Sequence, residues 1–148
     1  MHTFKKNERL ANHRLQSLLF KEGNHFFSYP LRVQWICLPK DKIKEIFPAG
    51  KNAQSACFDY PAKCLIGASK RQLKKAVHRN RAKRLAKEAY RKNKSSFYAF
   101  LNTKDFVVLL ALIYSASKLL PHNTVENSLK DVLQRLVGYI GDHDPDTG

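Results

Sequence analysis

A run of nine consecutive apolar residues, Phe106–Tyr114, constrains the fold more than any other stretch of the chain. A strand with one wet face alternates apolar and polar residues, because successive side chains point to opposite faces. This run does not alternate, and it is shorter than the roughly 20 residues that a membrane-spanning helix needs. It predicts a strand that lies inside a sheet and is covered on both faces.

Period-two patterns predict two more strands. Residues 26–37 alternate as a single strand, with Phe27 and Tyr29 on its core face. Pro30 cannot donate a ladder hydrogen bond, so this end is expected at a sheet edge or a bulge. Residues 63–69 alternate as a second strand that leads directly into a basic segment.

Three amphipathic helices complete the pattern. Asn7 is the predicted N-cap of the first, and Asn123 with Glu126 forms a predicted capping box for the last, which should end near Gly138 or Gly141. The predicted helices span about residues 8–22, 75–91 and 123–141. A loop is predicted over residues 40–61, with a short helical turn at 42–47 within it. Residues 92–104 are predicted to form a polar linker.

The resulting order is helix, strand, strand, helix, strand, helix, which predicts an α+β sandwich. With 148 residues, 43% of them hydrophobic, the chain can bury one core. We therefore expect one domain over residues 1–141 and a flexible acidic tail over residues 142–148.

Positive charge is concentrated in residues 70–94, which read KRQLKKAVHRNRAKRLAKEAYRKNK. This stretch holds twelve Lys or Arg residues and one acid, and so carries +11 of the chain's net charge of +15. A charge concentrated in this way indicates a docking surface for a polyanion.

The basic helix has two distinct faces at 100° per residue. One arc is apolar (Ala82, Leu85, Ala86, Ala89), and the opposite arc is cationic with an amide in its middle (Asn80, Lys83, Arg84, Lys87, Arg91). The alternative is a solvated basic face with no ligand, but one acid among twelve bases leaves almost no ion pairing within the helix to explain the run. A nucleic acid is therefore the favoured ligand, and Asn80 could touch base edges or 2′-hydroxyls between phosphate contacts.

Catalytic and metal-binding patterns are missing from the sequence. The twelve acids and six histidines are scattered, and no HxxxH motif or glycine-rich phosphate loop occurs. The three cysteines lack CxxC spacing, which favours free thiols over a zinc site or a disulfide framework. No signal peptide is apparent, so we expect a cytoplasmic protein that binds without catalysing.

The order of residues in the basic segment carries a family resemblance. Residues 75–91 read KAVHRNRAKRLAKEAYR, and this Arg79-Asn80-Arg81 motif with its flanking residues closely resembles the signature of the protein subunit of bacterial ribonuclease P. The resemblance covers about residues 4–139. It implies the same element order, with the basic helix in a left-handed β-α-β crossover.

The resemblance also implies a division of labour. In this family the RNA subunit performs the metal-dependent hydrolysis that removes the 5′ leader from precursor tRNA, and the small basic protein assists. The implied partners are the catalytic RNA and precursor tRNA. Mg²⁺ is expected on the RNA, and no cofactor is expected on protein side chains. The resemblance also implies a monomeric protein that does not bind a membrane.

Two sets of residues are implied by the resemblance. Those expected to hold the RNA subunit, chiefly through phosphates, are Lys70, Arg71, Lys74, Lys75, Arg79, Asn80, Arg81, Lys83, Arg84, Lys87 and Arg91. Those expected in a cleft for the single-stranded leader are Phe20, Arg32, Gln34, Gly67 and Ser69. One turn before Phe20 the family commonly carries a second aromatic residue, and here Gln16 takes that place.

Two alternatives stay open from the sequence. A ribosomal-type RNA-binding protein without a catalytic partner could share this sandwich and basic helix. A protein-only nuclease would need catalytic groups, and His78 within the basic helix is the candidate.

Overall fold

The computed structural model describes residue 4 and residues 8–42 and 60–143. These residues form a four-stranded sheet with helices on both faces, which confirms the predicted α+β class. The elements in chain order are α1 (His13–Glu22), β1 (Asn24–Ser28), β2 (Leu31–Pro39), β3 (Ala62–Ala68), α2 (Ala76–Leu101), β4 (Phe106–Tyr114) and α3 (His122–His143).

Strand β4 lies inside the sheet, as its uninterrupted apolar sequence predicts. The strand order is β1-β2-β4-β3, with β4 antiparallel to β2 and parallel to β3. Helix α2 makes the crossover between the parallel pair, as parallel neighbours require. The left-handedness of that crossover stays an expectation from the resemblance.

The two faces of the sheet bury two separate cores. Trp35, Cys64 and Leu110 belong to the larger one, which includes residues of α2 and α3. Leu15 and Leu19 of α1 pack in the smaller one on the opposite face, with Leu109 and other residues of β2 and β4. Alternate residues of the same strands thus supply both cores.

The predicted single strand over residues 26–37 is wrong, because this segment is a hairpin. β1 pairs antiparallel with β2, and Tyr29 and Pro30 connect them. Pro30 has no N–H to give to a ladder, so the chain turns there. Phe27 and Tyr29 were predicted on a core face, but the two residues are 48% and 54% exposed.

Helix α1 begins later than its pattern predicts. Asn12 is the N-cap, and its Oδ1 accepts hydrogen bonds from the N–H groups of Arg14 at 2.9 Å and Leu15 at 3.2 Å. The chain before it contacts β3 instead, where Arg9 bridges to Cys64 and the Leu10 N–H donates to the Cys64 carbonyl at 3.0 Å. The predicted cap Asn7 lies outside the described residues.

Helix α2 runs to Leu101, so the predicted linker over residues 92–104 is largely helix. Phe97 and Leu101 are both buried, and their spacing of four keeps them on the inner side of the helix.

Helix α3 begins at His122, so Asn123 is inside the first turn and the predicted capping box is wrong. The side chain of Glu126 accepts a hydrogen bond from Asn93 of α2 at 3.2 Å instead. This hydrogen bond lowers the pKa of Glu126. The helix continues past Gly138 and Gly141 to His143.

Two predicted features fall outside the described residues: most of the 40–61 loop with its helical turn and Cys57, and residues 144–148 of the tail. Within the described ranges, no helix combines the length and the apolar character that a membrane crossing requires.

Candidate nucleic-acid interface

The two faces of α2 are arranged as its sequence predicts. Ala82, Ala86 and Ala89 are buried, and Leu85 is partly buried against the same core. The predicted cationic arc is exposed at Asn80, Arg84 and Lys87 and partly exposed at Lys83 and Arg91. Arg81, which was predicted as an RNA contact, is exposed as well. Small alanines bring the helix close to the sheet, while the long cationic side chains extend into solvent.

The connection from β3 to α2 adds more charge at the start of the helix. Its exposed cations are Lys70, Arg71, Lys74 and Lys75, and buried Leu73 anchors it to the core. The first turn of α2 contains no acid, so the partial positive charge of the helix N-terminus adds to the same field.

Arg79 fixes this connection in place. Its Nη1 donates to the carbonyl oxygens of Leu73 and Lys74, both at 2.8 Å, and the residue is partly buried. Arg79 was predicted to contact RNA. In the structure, one nitrogen of its guanidinium holds the backbone of the preceding connection. Nη1 is therefore engaged by the backbone, whereas Nη2 and Nε are the donors on the other sides of the planar group.

Arg91, at the far end of the predicted RNA-binding set, forms an ion pair. Its Nη2 donates to Glu88 Oε2 at 2.7 Å, one helical turn away. This hydrogen bond lowers the pKa of Glu88 and raises that of Arg91. The pair partly neutralises this end of the cationic face, so the strongest field lies nearer the start of α2.

Lys94 does not contribute to the exposed charge that residues 70–94 were predicted to carry. Its Nζ pairs with Glu8 Oε2, and the two side chains are 9% and 1% exposed. The Tyr98 hydroxyl also donates to Glu8 Oε2 at 2.8 Å and lies 3.0 Å from the Tyr90 hydroxyl. This buried network joins the segment before α1 to α2.

A groove of about 790 Å³ lies on the face of the sheet that carries α1 and the smaller core. It is lined by residues of β1, β2 and the β3–α2 connection. Three residues predicted for the leader cleft line it together: Arg32, Gln34 and Ser69. Gly67 pairs in register with Ile113, which also lines the groove. The structure thus brings these four predicted residues into one region.

Phe20, the remaining residue of that set, lies apart from the groove lining. It is 47% exposed and lines a separate shallow depression on α1 with Gln16 and Ser17. Gln16 donates from Nε2 to the Leu10 carbonyl at 2.8 Å, which steadies the chain before the helix. The residue at the usual aromatic position therefore has a structural hydrogen bond here.

Sequence reasoning missed several groove residues. The missed lining residues are His25, Phe26, Phe27, Val33, Gln72, Ile113 and Ser115, and Arg71 lines the groove although it was assigned to the RNA subunit. Recognising the turn at Pro30 would have placed Phe27 opposite Arg32 and His25 opposite Gln34.

The described residues place exposed cations along α2 and polar side chains around the groove. No group of three or more His, Cys, Asp or Glu side chains within them could hold a metal ion. Burial raises the pKa of the Cys64 thiol, so this cysteine is a poor nucleophile. Exposed cations, amides and an aromatic beside a groove suit a single-stranded or folded polyanion.

Comparisons with known proteins agree with this geometry. The ribonuclease P family model matches residues 4–137. Proteins from two strains of Porphyromonas gingivalis, each named ribonuclease P protein component, are 30% identical over 135 residues, covering 91% of this chain and 87% of each relative.

Solved structures share the fold. The Staphylococcus aureus RNase P protein has a TM-score of 0.59 at 18% identity, covering 87% of this chain and 94% of that one. The Thermotoga maritima RNase P protein has a TM-score of 0.57 at 20% identity, covering 86% and 96%.

Proposed function

We propose that this chain, which belongs to the ribonuclease P protein family, is the protein subunit of a ribonucleoprotein that removes the 5′ leader from precursor tRNA. In this proposal α2 and the connection before it bind the catalytic RNA subunit, and the groove binds the single-stranded leader. The observation that carries the proposal is the adjacency of these two surfaces, a cationic helix face and a mixed groove that meet at residues 69–75.

The cationic face suits a folded RNA. Arg84 and Lys87 are exposed on the side of α2 away from its buried alanines, and Arg81 is exposed on the flank of the helix. All three can reach phosphates without disturbing the core. Phosphate contacts supply most of the affinity of such an interface and make it depend on salt. Asn80 lies among them with both donors and an acceptor, so it can contact a base edge or a 2′-hydroxyl.

The groove suits a strand of variable sequence. Arg32 and Arg71 provide charge, and Gln34 and Ser69 provide small polar contacts. A Cβ at Gly67 would lie 3.2 Å from Ile113 Cδ1, so a side chain there would press on the Ile113 side chain that lines the groove. Glycine at this position therefore keeps the sheet surface accessible to a ligand backbone.

Bond cleavage belongs to the RNA subunit in this proposal. Among the described residues, no group of three or more His, Cys, Asp or Glu side chains could hold a metal ion for hydrolysis. Mg²⁺ is expected on the RNA, and the protein cations reduce the repulsion between phosphates that Mg²⁺ would otherwise have to offset. A cytoplasmic monomer that assembles with RNA is expected.

The test is reconstitution with the cognate RNA subunit. The protein should lower the Mg²⁺ concentration at which the RNA processes precursor tRNA, and the protein without the RNA should not cleave. Lys87→Ala should weaken this effect, whereas Lys118→Ala removes an equal charge between β4 and α3 and should leave it unchanged.

Two results would contradict the proposal. If the wild-type protein leaves the Mg²⁺ requirement unchanged, a ribosomal-type RNA-binding role is the better explanation. If the purified protein cleaves precursor tRNA without RNA, and His78→Ala abolishes that cleavage, the protein is itself a nuclease.

A further inference from the structure

Phe27 has an unusual position for a large apolar side chain. It lies on edge strand β1, lines the groove and is 48% exposed. Its partner in the β1–β2 register is Arg32, which lines the same groove. The ring of Tyr29 meets it edge to face, with centroids 6.2 Å apart and an interplanar angle of 65°. Phe27 belongs to neither of the two hydrophobic cores, so core packing does not account for its position.

The backbone that carries Phe27 is held from the opposite face. Phe26 points to α3, where its ring lies 5.4 Å from that of Tyr139. Arg135 of α3 donates to the Phe27 carbonyl at 3.2 Å, and the Ser128 hydroxyl donates to the Ser28 carbonyl at 2.7 Å. Because β1 is fixed in this way, Phe27 offers its exposed ring without the entropic cost of ordering a loop.

We propose that Phe27 is the residue of the groove that stacks on a base of the single-stranded leader, while Tyr29 holds its ring in place. This inference rests on the proposed function. A base stacks on an aromatic ring whatever its identity, so Phe27 suits a leader of variable sequence. Arg32 and Arg71, which line the same groove, supply cations for the adjacent phosphates.

The sheet sets the direction of the bound strand. The row Phe27, Arg32, Ile113 and Gly67 crosses all four strands, from β1 to β3. With strands about 4.8 Å apart, this row is roughly 14 Å long. The leader would therefore run across the strands between the β3–α2 connection and Phe27.

The test combines Phe27 variants with leaders that carry one abasic nucleotide at successive positions. Binding of precursor tRNA and of mature tRNA to the reconstituted holoenzyme is measured for wild type, Phe27→Ala, Phe27→Leu and Phe27→Trp. Phe27→Ala should weaken precursor binding about 5- to 150-fold and leave mature tRNA unchanged. Phe27→Trp should retain wild-type affinity, and Phe27→Leu, which keeps apolar volume but has no aromatic face, should behave like Phe27→Ala.

The abasic series separates stacking from packing. At one leader position the abasic nucleotide should weaken wild-type binding and have no further effect on Phe27→Ala, because both changes remove the same contact. If every abasic position adds independently to Phe27→Ala, or if Phe27→Leu binds like wild type, Phe27 does not stack on a base. Equal losses for precursor and mature tRNA would likewise overturn the proposal.

Failure of this inference differs from failure of the proposed function. If wild type prefers precursor over mature tRNA and Phe27→Ala keeps that preference, the inference about Phe27 fails alone. If wild type shows no preference, both fail. Thermal unfolding of each variant checks that an affinity loss does not come from a loss of fold.

Discussion

Replacing Lys94 with methionine should destabilise the protein more than removing any cation of the exposed face of α2. The Lys94 ammonium and the Glu8 carboxylate are paired where both side chains are almost fully buried. Methionine fills a similar volume but carries no charge. The variant would remove the Lys94 ammonium from the buried Glu8 carboxylate, while the Tyr98 hydroxyl would still donate to it.

The size of this effect follows from the burial. Removing one partner of a buried ion pair typically costs about 3 to 5 kcal/mol, because the remaining buried charge has lost an ion that offset its desolvation. Domains of this size have a total stability of roughly 5 to 15 kcal/mol, so the loss would be a large fraction. We expect the unfolding temperature to fall by roughly 6 to 20 °C.

Urea unfolding of wild type, Lys94→Met, Lys87→Ala and the double variant Glu8→Leu/Lys94→Met would test this reasoning. Lys87 is the matched control, because it is an exposed lysine on the same helix. The double variant removes both charges and should recover most of the lost stability. A Lys94→Met variant as stable as Lys87→Ala would refute the argument, as would a double variant less stable than either single one.

Three further outcomes are expected. Arg84→Ala should weaken RNA-subunit binding and reduce the slope of log K against log salt by about one counterion; an unchanged slope would remove Arg84 from the interface. Phe20→Ala should weaken binding of leader-bearing precursor more than that of mature tRNA, by about 1 to 3 kcal/mol if a base stacks there, and equal losses would indicate packing. The hydrogen bond from Arg91 lowers the pKa of Glu88, so its stabilising effect is present above the unfolded-state pKa and lost as pH falls through the lowered value. Glu88→Gln should therefore be less stable than wild type at neutral pH and converge with it in acid, and a constant difference in urea unfolding across pH would contradict this.

The elements that were predicted correctly are those whose sequence signal lies within one segment of the chain. The apolar run of β4 is long enough to require cover on both faces, and it forms the interior strand with the predicted bounds. The helical period of 3.6 residues predicted that Ala82 and Ala86 lie on the opposite side of α2 from Arg84 and Lys87. In the structure the two alanines are buried and the two cations are exposed. Both signals are complete within one element, so no distant contact was needed to interpret them.

The hairpin of β1 and β2 could not be recognised from alternation. Its connection is two residues long, so Ser28 pairs with Leu31 and Phe27 pairs with Arg32. The turn therefore inverts the alternation, and Phe27 shares a face with Arg32, whereas an unbroken period of two places it on the face of Leu31. Only Pro30 marked the position, and it is compatible with an edge strand as well as with a turn.

The burial of Lys94 could not be predicted for a different reason. Its partner Glu8 lies 86 residues away in sequence, so no local pattern connects them. Within residues 92–104 the polar residues outnumber the apolar ones, which hides the spacing of Phe97 and Leu101. Charge counting then treats Lys94 as part of the docking surface, because composition does not record which charges are compensated.

The β3–α2 connection belongs to both proposed binding surfaces, so a change in its position should affect both of them. Arg71 of this connection lines the groove, and Arg79 of α2 holds the carbonyls of Leu73 and Lys74 at its other end. RNA phosphates that compete for the Arg79 guanidinium would loosen the connection, whereas phosphates that bind beside it would restrain the connection further. By linkage, any change that the RNA subunit makes to leader affinity is matched by an equal effect of the leader on RNA-subunit affinity. Arg79→Lys retains the charge but replaces the planar guanidinium, whose Nη1 donates to both carbonyls, with a flexible ammonium group. It should therefore impair leader binding, although Arg79 itself lies outside the groove lining.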